Sequence, residues 1–183
     1  YTSDVFKIII IPIYIMVIAN LVNMHSGFNG LQSGLSCILL SFLIFRSIYT
    51  DNSNILVFVT FAGGMFGLWY YNKFPSRIFE GNVGSMMFGA VIGTFLVIND
   101  YYLFGMFIFL PHILDFLIFV VSRFKEKKFR KFGKIDEEGY IVSPTKYKLK
   151  FILPYYLKLR EPQVVNYLHI VTIIFCITGL IIF

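Results

Sequence analysis

Residues 19–34, ANLVNMHSGFNGLQSG, place Asn20, Asn23 and Asn29, with glycines at 27, 30 and 34, at the mouth of a long apolar run. An unpaired polar group in hydrocarbon costs several kcal/mol, so these amides need partners. Asn20 and Asn23 stand three apart and share one face of a helix. Two amides turned the same way in a membrane helix either line a cavity or ligand site, or hydrogen-bond neighbouring helices. The residues alone leave both readings open.

Composition decides the solvent around this stretch. The 183 residues are 57% hydrophobic and only 14% charged, with 22 phenylalanines, a balance that no water-soluble domain of this size carries on its surface. Six apolar runs, about 5–22, 35–49, 54–71, 84–99, 102–122 and 164–183, are separated by polar or glycine-rich breaks. Each approaches the ~20 residues that cross a bilayer. The fold class is therefore all-α, a single polytopic membrane domain over 1–183 with about six transmembrane helices. The second run carries Arg46, which blurs its ends. The fifth contains Pro111 and Asp115, the pattern of a kinked helix whose carboxyl faces protein or water. Cys37 and Cys176 lie inside apolar runs and suggest neither a metal site nor a disulfide. With no initiator Met and no cleavable signal pattern, the chain reads as a segment of a longer protein.

Charge sets the orientation. Of 16 Lys and Arg, 12 fall between Arg123 and Arg160, which predicts a cytoplasmic loop over 123–163. Counting crossings back from it puts the asparagine-rich loop 23–34, the loop 72–83 and the basic loop on one face. The connections at 50–53 and 100–101 are too short to build a site.

In the first loop, glycine alternating with Asn permits positive φ and a close backbone approach to a ligand, or simply a turn between helices. His25 reads there as a solvated side chain or as a ligand or base. In the second loop, Pro75 and Gly81 punctuate the chain, Arg77 adds a cation, and Phe79 either stacks on a base or packs into the core. Gly81 and Gly84 bracket Asn82 where the next helix opens; backbone N–H groups at such a start favour phosphate, and a side-chain oxygen there can hold Mg²⁺. Gly89 and Gly93 form a small-xxx-small pair suited to helix packing. The third loop opens with RFKEKKFRKFGK, either ordinary positive-inside charge against anionic headgroups or a grip for a diphosphate. A nucleic-acid partner is not expected from a basic segment tethered at the membrane. Residues 133–150 read as two short strands with turn chemistry at Glu138-Gly139 and Ser143-Pro144. FILPYYLKL, 151–159, suits an interfacial segment on the headgroups. His112 and His169, within apolar helices, read as structural.

Two stretches, NLVNMHSGFNGLQSG and FPSRIFEGNVGSMMFG, together resemble the polyprenyl-phosphate N-acetylhexosamine-1-phosphate transferases. The closest likeness is to the eukaryotic and archaeal branch that uses UDP-GlcNAc and dolichyl phosphate. KIDEEGYIVSPTKYKLKF resembles the hairpin of that family's last cytoplasmic loop. The resemblance covers the whole chain as the C-terminal half of a ten-helix fold, its six helices matching the fifth through the tenth. It implies transfer of a hexosamine 1-phosphate from a UDP-N-acetylhexosamine to a polyprenyl or dolichyl phosphate in the lipid bilayer, with Mg²⁺, or Mn²⁺, as cofactor. By motif position Asn23 and Asn82 would be the catalytic metal ligands, Asn29 would contact the uracil, Phe79 would stack on it, and Asn20 would help shape the pocket. Lys127, Lys128 and Arg130 are the candidates for the diphosphate.

Two departures shape the expectations. The family usually has Asp where this chain has Asn82, and an amide is a weaker Mg²⁺ ligand than a carboxylate. The family's paired aspartates have no counterpart among these residues, so the chain is expected to be catalytically incomplete without a missing N-terminal half, in cis or as a partner, a homodimer being the other possibility. The rival readings are a transporter subunit and an inactive fragment; clustering of the polar residues at one face and the lack of an inverted repeat favour the enzyme. The expected place is a prokaryotic cell membrane or the endoplasmic reticulum, with the active face cytoplasmic.

Overall fold

Apolar composition over runs of about 18 residues dictates helices, since in hydrocarbon only a helix satisfies its own backbone. In the computed structural model, which describes Asp4 and residues 6–50, 55–125 and 133–183, the helical segments are these: a π-helical turn over Phe6–Ile10, α1 (Ile11–Met24), α2 (Leu31–Tyr49), α3 (Ile55–Asn72), α4 (Gly81–Ile98), α5 (Tyr102–Ile108), α6 (Leu110–Lys125), α7 (Leu149–Tyr156) and α8 (Glu161–Ile182). Among the described residues five stretches are long and apolar enough to cross a membrane, Lys7–Met24, α2, α3, α4 and α8; α5 and α6, bent by 61°, make a sixth if the pair is one span. The protein is an all-α polytopic membrane protein.

Several boundaries differ from the apolar runs. α2 starts at Leu31 instead of 35, because Gln32, Ser33 and Ser36 are polar yet buried. Hydropathy ends the run where packing does not. α4 starts at Gly81 and α8 at Glu161, three residues ahead of the runs; at α8 the Arg160 N–H donates to Gln163 Oε1 at 2.8 Å, closing the first turn. The run 102–122 is broken at Phe109. Pro111, two residues on, has no N–H to give back to the preceding turn, the ordinary cause of such a break. The basic candidates Lys127, Lys128 and Arg130 lie outside the described residues.

Helix α1 crosses α4 at backbone contact. A Cβ on Gly89 would lie 2.6 Å from Ala19 Cα, and one on Gly93 3.2 Å from Ile15 Cα, so these two glycines serve packing. One apolar core fills the space among α1–α5 and α8, around Leu39, Leu40, Ile92, Phe95 and Ile108. A smaller one, Leu31, Leu35, Ile141, Phe151, Val164 and Leu168, fastens the 133–160 segment onto the ends of α2 and α8. At the opposite end Arg46 donates to the Phe183 carbonyl at 2.9 Å and lies over the Tyr101 and Phe104 rings.

Both strands of the hairpin fall in the first part of the stretch read as strands: β1 (Lys134–Ile135) pairs antiparallel with β2 (Ile141–Val142), Ile135 opposite Ile141. Asp136 Oδ1 accepts from the backbone N–H of Glu138 and of Tyr140, and Gly139 takes φ +85° to close the turn. KYKLK is not a strand; residues 143–148 are irregular and lead into α7, the segment expected on the headgroups.

Candidate functional site

The two asparagine-bearing loops are locked together by one amide. Asn72, 2% exposed at the end of α3, accepts from Gly30 N–H at 3.0 Å and from Ser33 Oγ at 2.7 Å, and its Nδ2 donates to the Ile78 carbonyl at 2.8 Å. Gly30 enters α2 with φ +73°, and a Cβ there would lie 2.8 Å from Lys73 Cα. Only glycine fits that turn at that distance. The 133–160 segment closes over the first loop: Lys150 Nζ donates to the Ser26 carbonyl, the Phe151 ring packs edge-on to Phe28 at 5.7 Å, and the Asn29 N–H donates to the Glu161 carboxylate.

Two adjoining cavities lie between these loops and share Ser26, Gly27 and Asn82. The first, about 360 Å³, is lined by Asn23, Asn82, Asp115, Lys148 and Lys150 among others. The second, about 200 Å³, is lined by Asn29, Phe79, Glu80 and Asn82 among others. Asn23 and Asn82 are joined through Ser85, whose Oγ donates to Asn23 Oδ1 at 2.6 Å and lies 3.0 Å from the Asn82 carbonyl. Phe79 is 72% exposed, an aromatic face held in the open. Asn20 is not brought in. It is exposed on α1, and its Nδ2 is spent on the Met16 carbonyl at 2.8 Å.

The structure adds side chains that the sequence reading did not select. Lys148 and Lys150 are 8% and 6% exposed, and Lys150 Nζ lies 5.1 Å and 5.4 Å from the Phe28 and Phe151 ring centroids. Asp115 is buried on α6; its Oδ1 accepts Leu149 N–H at 2.8 Å and its Oδ2 lies 3.2 Å from His25 Nδ1. The His25 and His112 rings lie 4.8 Å apart, tilted by 48° to each other. So His25 is a buried bridge, neither solvated nor facing the cavities, and His112 and His169 are embedded as read, His169 Nε2 lying 3.2 Å from the Leu31 carbonyl. An ionisable residue inside an apolar helix points to function by default, which was the one signal for Asp115. Lys148 and Lys150 carried no comparable local signal.

Among its described lining residues, two ammonium groups and one carboxylate give the first cavity a positive balance, with amides beside it: a site for a polyanion. The second cavity has no lysine or arginine among its described lining residues. Glu80 borders it with Oε2 buried and unpartnered; burial raises its carboxyl above the usual carboxylate value, against the pull of its own backbone N–H. Among the described residues no three His, Cys, Asp or Glu side chains gather into a metal site. A divalent cation here would rest on the oxygens of Asn23 and Asn82, a hard but neutral donor set that fits Mg²⁺ or Mn²⁺ only when ligand phosphates complete it.

The profile of glycosyl transferase family 4 matches residues 1–100. A putative UDP-N-acetylglucosamine–dolichyl-phosphate N-acetylglucosaminephosphotransferase of Sulfolobus acidocaldarius is 32% identical over 139 residues, 74% of this chain and 42% of that protein. A putative glycosyltransferase of Methanocaldococcus jannaschii is 32% identical over 189 residues, 98% of this chain and 60% of that protein. A phospho-N-acetylmuramoyl-pentapeptide-transferase of Clostridium beijerinckii is 29% identical over 175 residues, 93% of this chain and 49% of that protein. The chain spans about half the length of the curated relatives it matches.

Proposed function

Because this chain belongs to glycosyl transferase family 4, we propose that its paired cavities bind a UDP-N-acetylhexosamine and present it to a polyprenyl or dolichyl phosphate, the lipid accepting hexosamine 1-phosphate and UMP leaving. The observation that carries this reading is the convergence of Asn23 and Asn82, from loops 59 positions apart, with the buried pair Lys148 and Lys150 on one cavity. Lys148 and Lys150 hold the diphosphate. Phe79 and Asn29 hold the uracil in the adjoining cavity. An oxygen of the lipid phosphate attacks the sugar-bearing phosphorus in line, the bond from that phosphorus to the bridging oxygen breaks, and the charge gathering on UMP is met by the two ammonium groups, already in place and shielded from water. Magnesium, or manganese in its stead, when bound would offset the pyrophosphate charge from the oxygens of Asn23 and Asn82.

No two aspartates are adjacent in the 183 residues, and we assign the remaining acidic groups to a further half of the polypeptide, in cis or as a partner. The concentration of Lys and Arg over 123–160 supports a cytoplasmic active face, in a prokaryotic cell membrane or the endoplasmic reticulum.

The test is calorimetric binding of UDP-GlcNAc to the chain in nanodiscs with Mg²⁺, alongside UMP release after adding a polyprenyl phosphate. Binding that is weakened in Lys148→Ala, Asn23→Ala and Phe79→Ala is expected. A chain that neither binds UDP-GlcNAc nor releases UMP rejects the assignment.

A further inference from the structure

Charge is sorted between the two cavities. The lysines line the larger one; among its described lining residues the smaller holds an exposed aromatic ring, the Asn29 amide and a single acid, Glu80, with no cationic side chain to pair it. One Glu80 oxygen is buried and has no partner among the described residues, and a buried acceptor left unmet is unfavourable, more so when it is charged. The Glu80 Cβ stands over Gly84 of α4, where a Cβ added to that glycine would come within 2.9 Å of it. The missing partner must be a donor that enters with the ligand, sits beside an aromatic-bound base, and stands next to phosphates in the lysine cavity. In a nucleotide that group is the ribose diol. We propose that Glu80 is the sugar-reading residue of the nucleotide site, its carboxylate accepting the 2′- and 3′-hydroxyls of a uridine nucleotide whose phosphates lie on Lys148 and Lys150. This rests on the nucleotide-sugar reading above and gives it a specificity: ribose over deoxyribose.

A site built to meet a ligand hydroxyl rejects the analogue lacking it far more strongly than an apolar pocket rejects a missing methylene. A hydrogen bond to a charged group contributes about 1.5–3 kcal/mol, or roughly 10- to 150-fold in affinity. The experiment is calorimetric binding of UMP and of 2′-deoxy-UMP to the chain in nanodiscs, for the wild type, Glu80→Ala and Glu80→Gln. UMP is expected to bind at least about tenfold tighter than 2′-deoxy-UMP to the wild type, and to within about threefold in both variants. Glu80→Gln keeps the shape, so it decides the matter if Glu80→Ala fails to fold. Equal binding of the two nucleotides to the wild type, or discrimination unchanged in Glu80→Gln, overturns the role of Glu80 and leaves the nucleotide site standing. Failure of the wild type to bind UMP at all overturns both.

Discussion

Ser85 Oγ donates to Asn23 Oδ1 at 2.6 Å, so the last turn of α1 and the first turn of α4 meet through one hydroxyl at the edge of the polar cavities. A hydroxyl has a single proton, and at this distance it belongs to Asn23 in preference to the Gly81 and Asn82 carbonyls, each 3.0 Å away. The bond fixes one lone pair of Asn23 Oδ1 and leaves the other for a ligand. In Ser85→Ala, Asn23 loses about 1 kcal/mol of orientation. UDP-GlcNAc affinity should fall about fivefold, with thermal stability little changed; titration of wild type and variant side by side checks both.

Asn72 is a larger commitment, because one buried side chain meets Gly30, Ser33 and Ile78 together. Asn72→Ala leaves a buried N–H, a hydroxyl and a carbonyl to find new partners. The expected loss is about 2–4 kcal/mol, read as a drop in the unfolding midpoint in detergent, and nucleotide binding should vanish as the two loops separate. A midpoint within 2 °C of wild type, by the scaling of about 2–4 °C per kcal/mol, would show that the loops are held by something else.

Lys148→Ala removes half of the basic wall, and a charge-assisted hydrogen bond of about 1.5–3 kcal/mol goes with it. UDP-GlcNAc should bind roughly 10- to 100-fold more weakly, while free uridine, which carries no phosphate, should bind the variant and the wild type alike. Calorimetry with both ligands separates a phosphate contact from a general loosening of the site.

Glycines of α3 and α4 should respond in opposite ways. Gly89→Ala drives a methyl against the Ala19 backbone, and overpacking of this kind costs about 1–3 kcal/mol. Gly64 on α3 has open space around it, so Gly64→Ala should be neutral or stabilising by up to about 1 kcal/mol, the helix-propensity difference. Thermal unfolding in one detergent ranks the two.

The crossings and the meeting of loops 25–30 and 73–80 were legible, because apolar length and the parity of crossings are one-dimensional signals. So was the break near Pro111. The basic wall was not. Charge density drew attention to Lys127, Lys128 and Arg130, whereas Lys148 and Lys150 enter the cavity because Phe151 and Ile141 pin their segment to α2 and α8, a long-range packing fact that no local pattern carries. KYKLK alternates like a strand, but it ends in the first turn of α7. Asn20 shows the limit of the three-residue spacing: two residues share a helical face loosely, and here Asn23 meets Ser85 while Asn20 bonds its own backbone. The pair His25 and Asp115, 90 positions apart, illustrates the same limit for partners that only folding introduces.

The 61° bend at Phe109 sends α6 obliquely away from the line of α5. Asp115, on that oblique arm, touches His25 from the first loop and the Leu149 N–H from the last. A tilted apolar helix settles at an angle set partly by the thickness of the hydrocarbon around it. A change in the angle of α6 would be felt, through Asp115, at His25 and at Leu149. The bend thereby places one carboxylate where the pose of α6 and the two loops that flank it are no longer independent of each other.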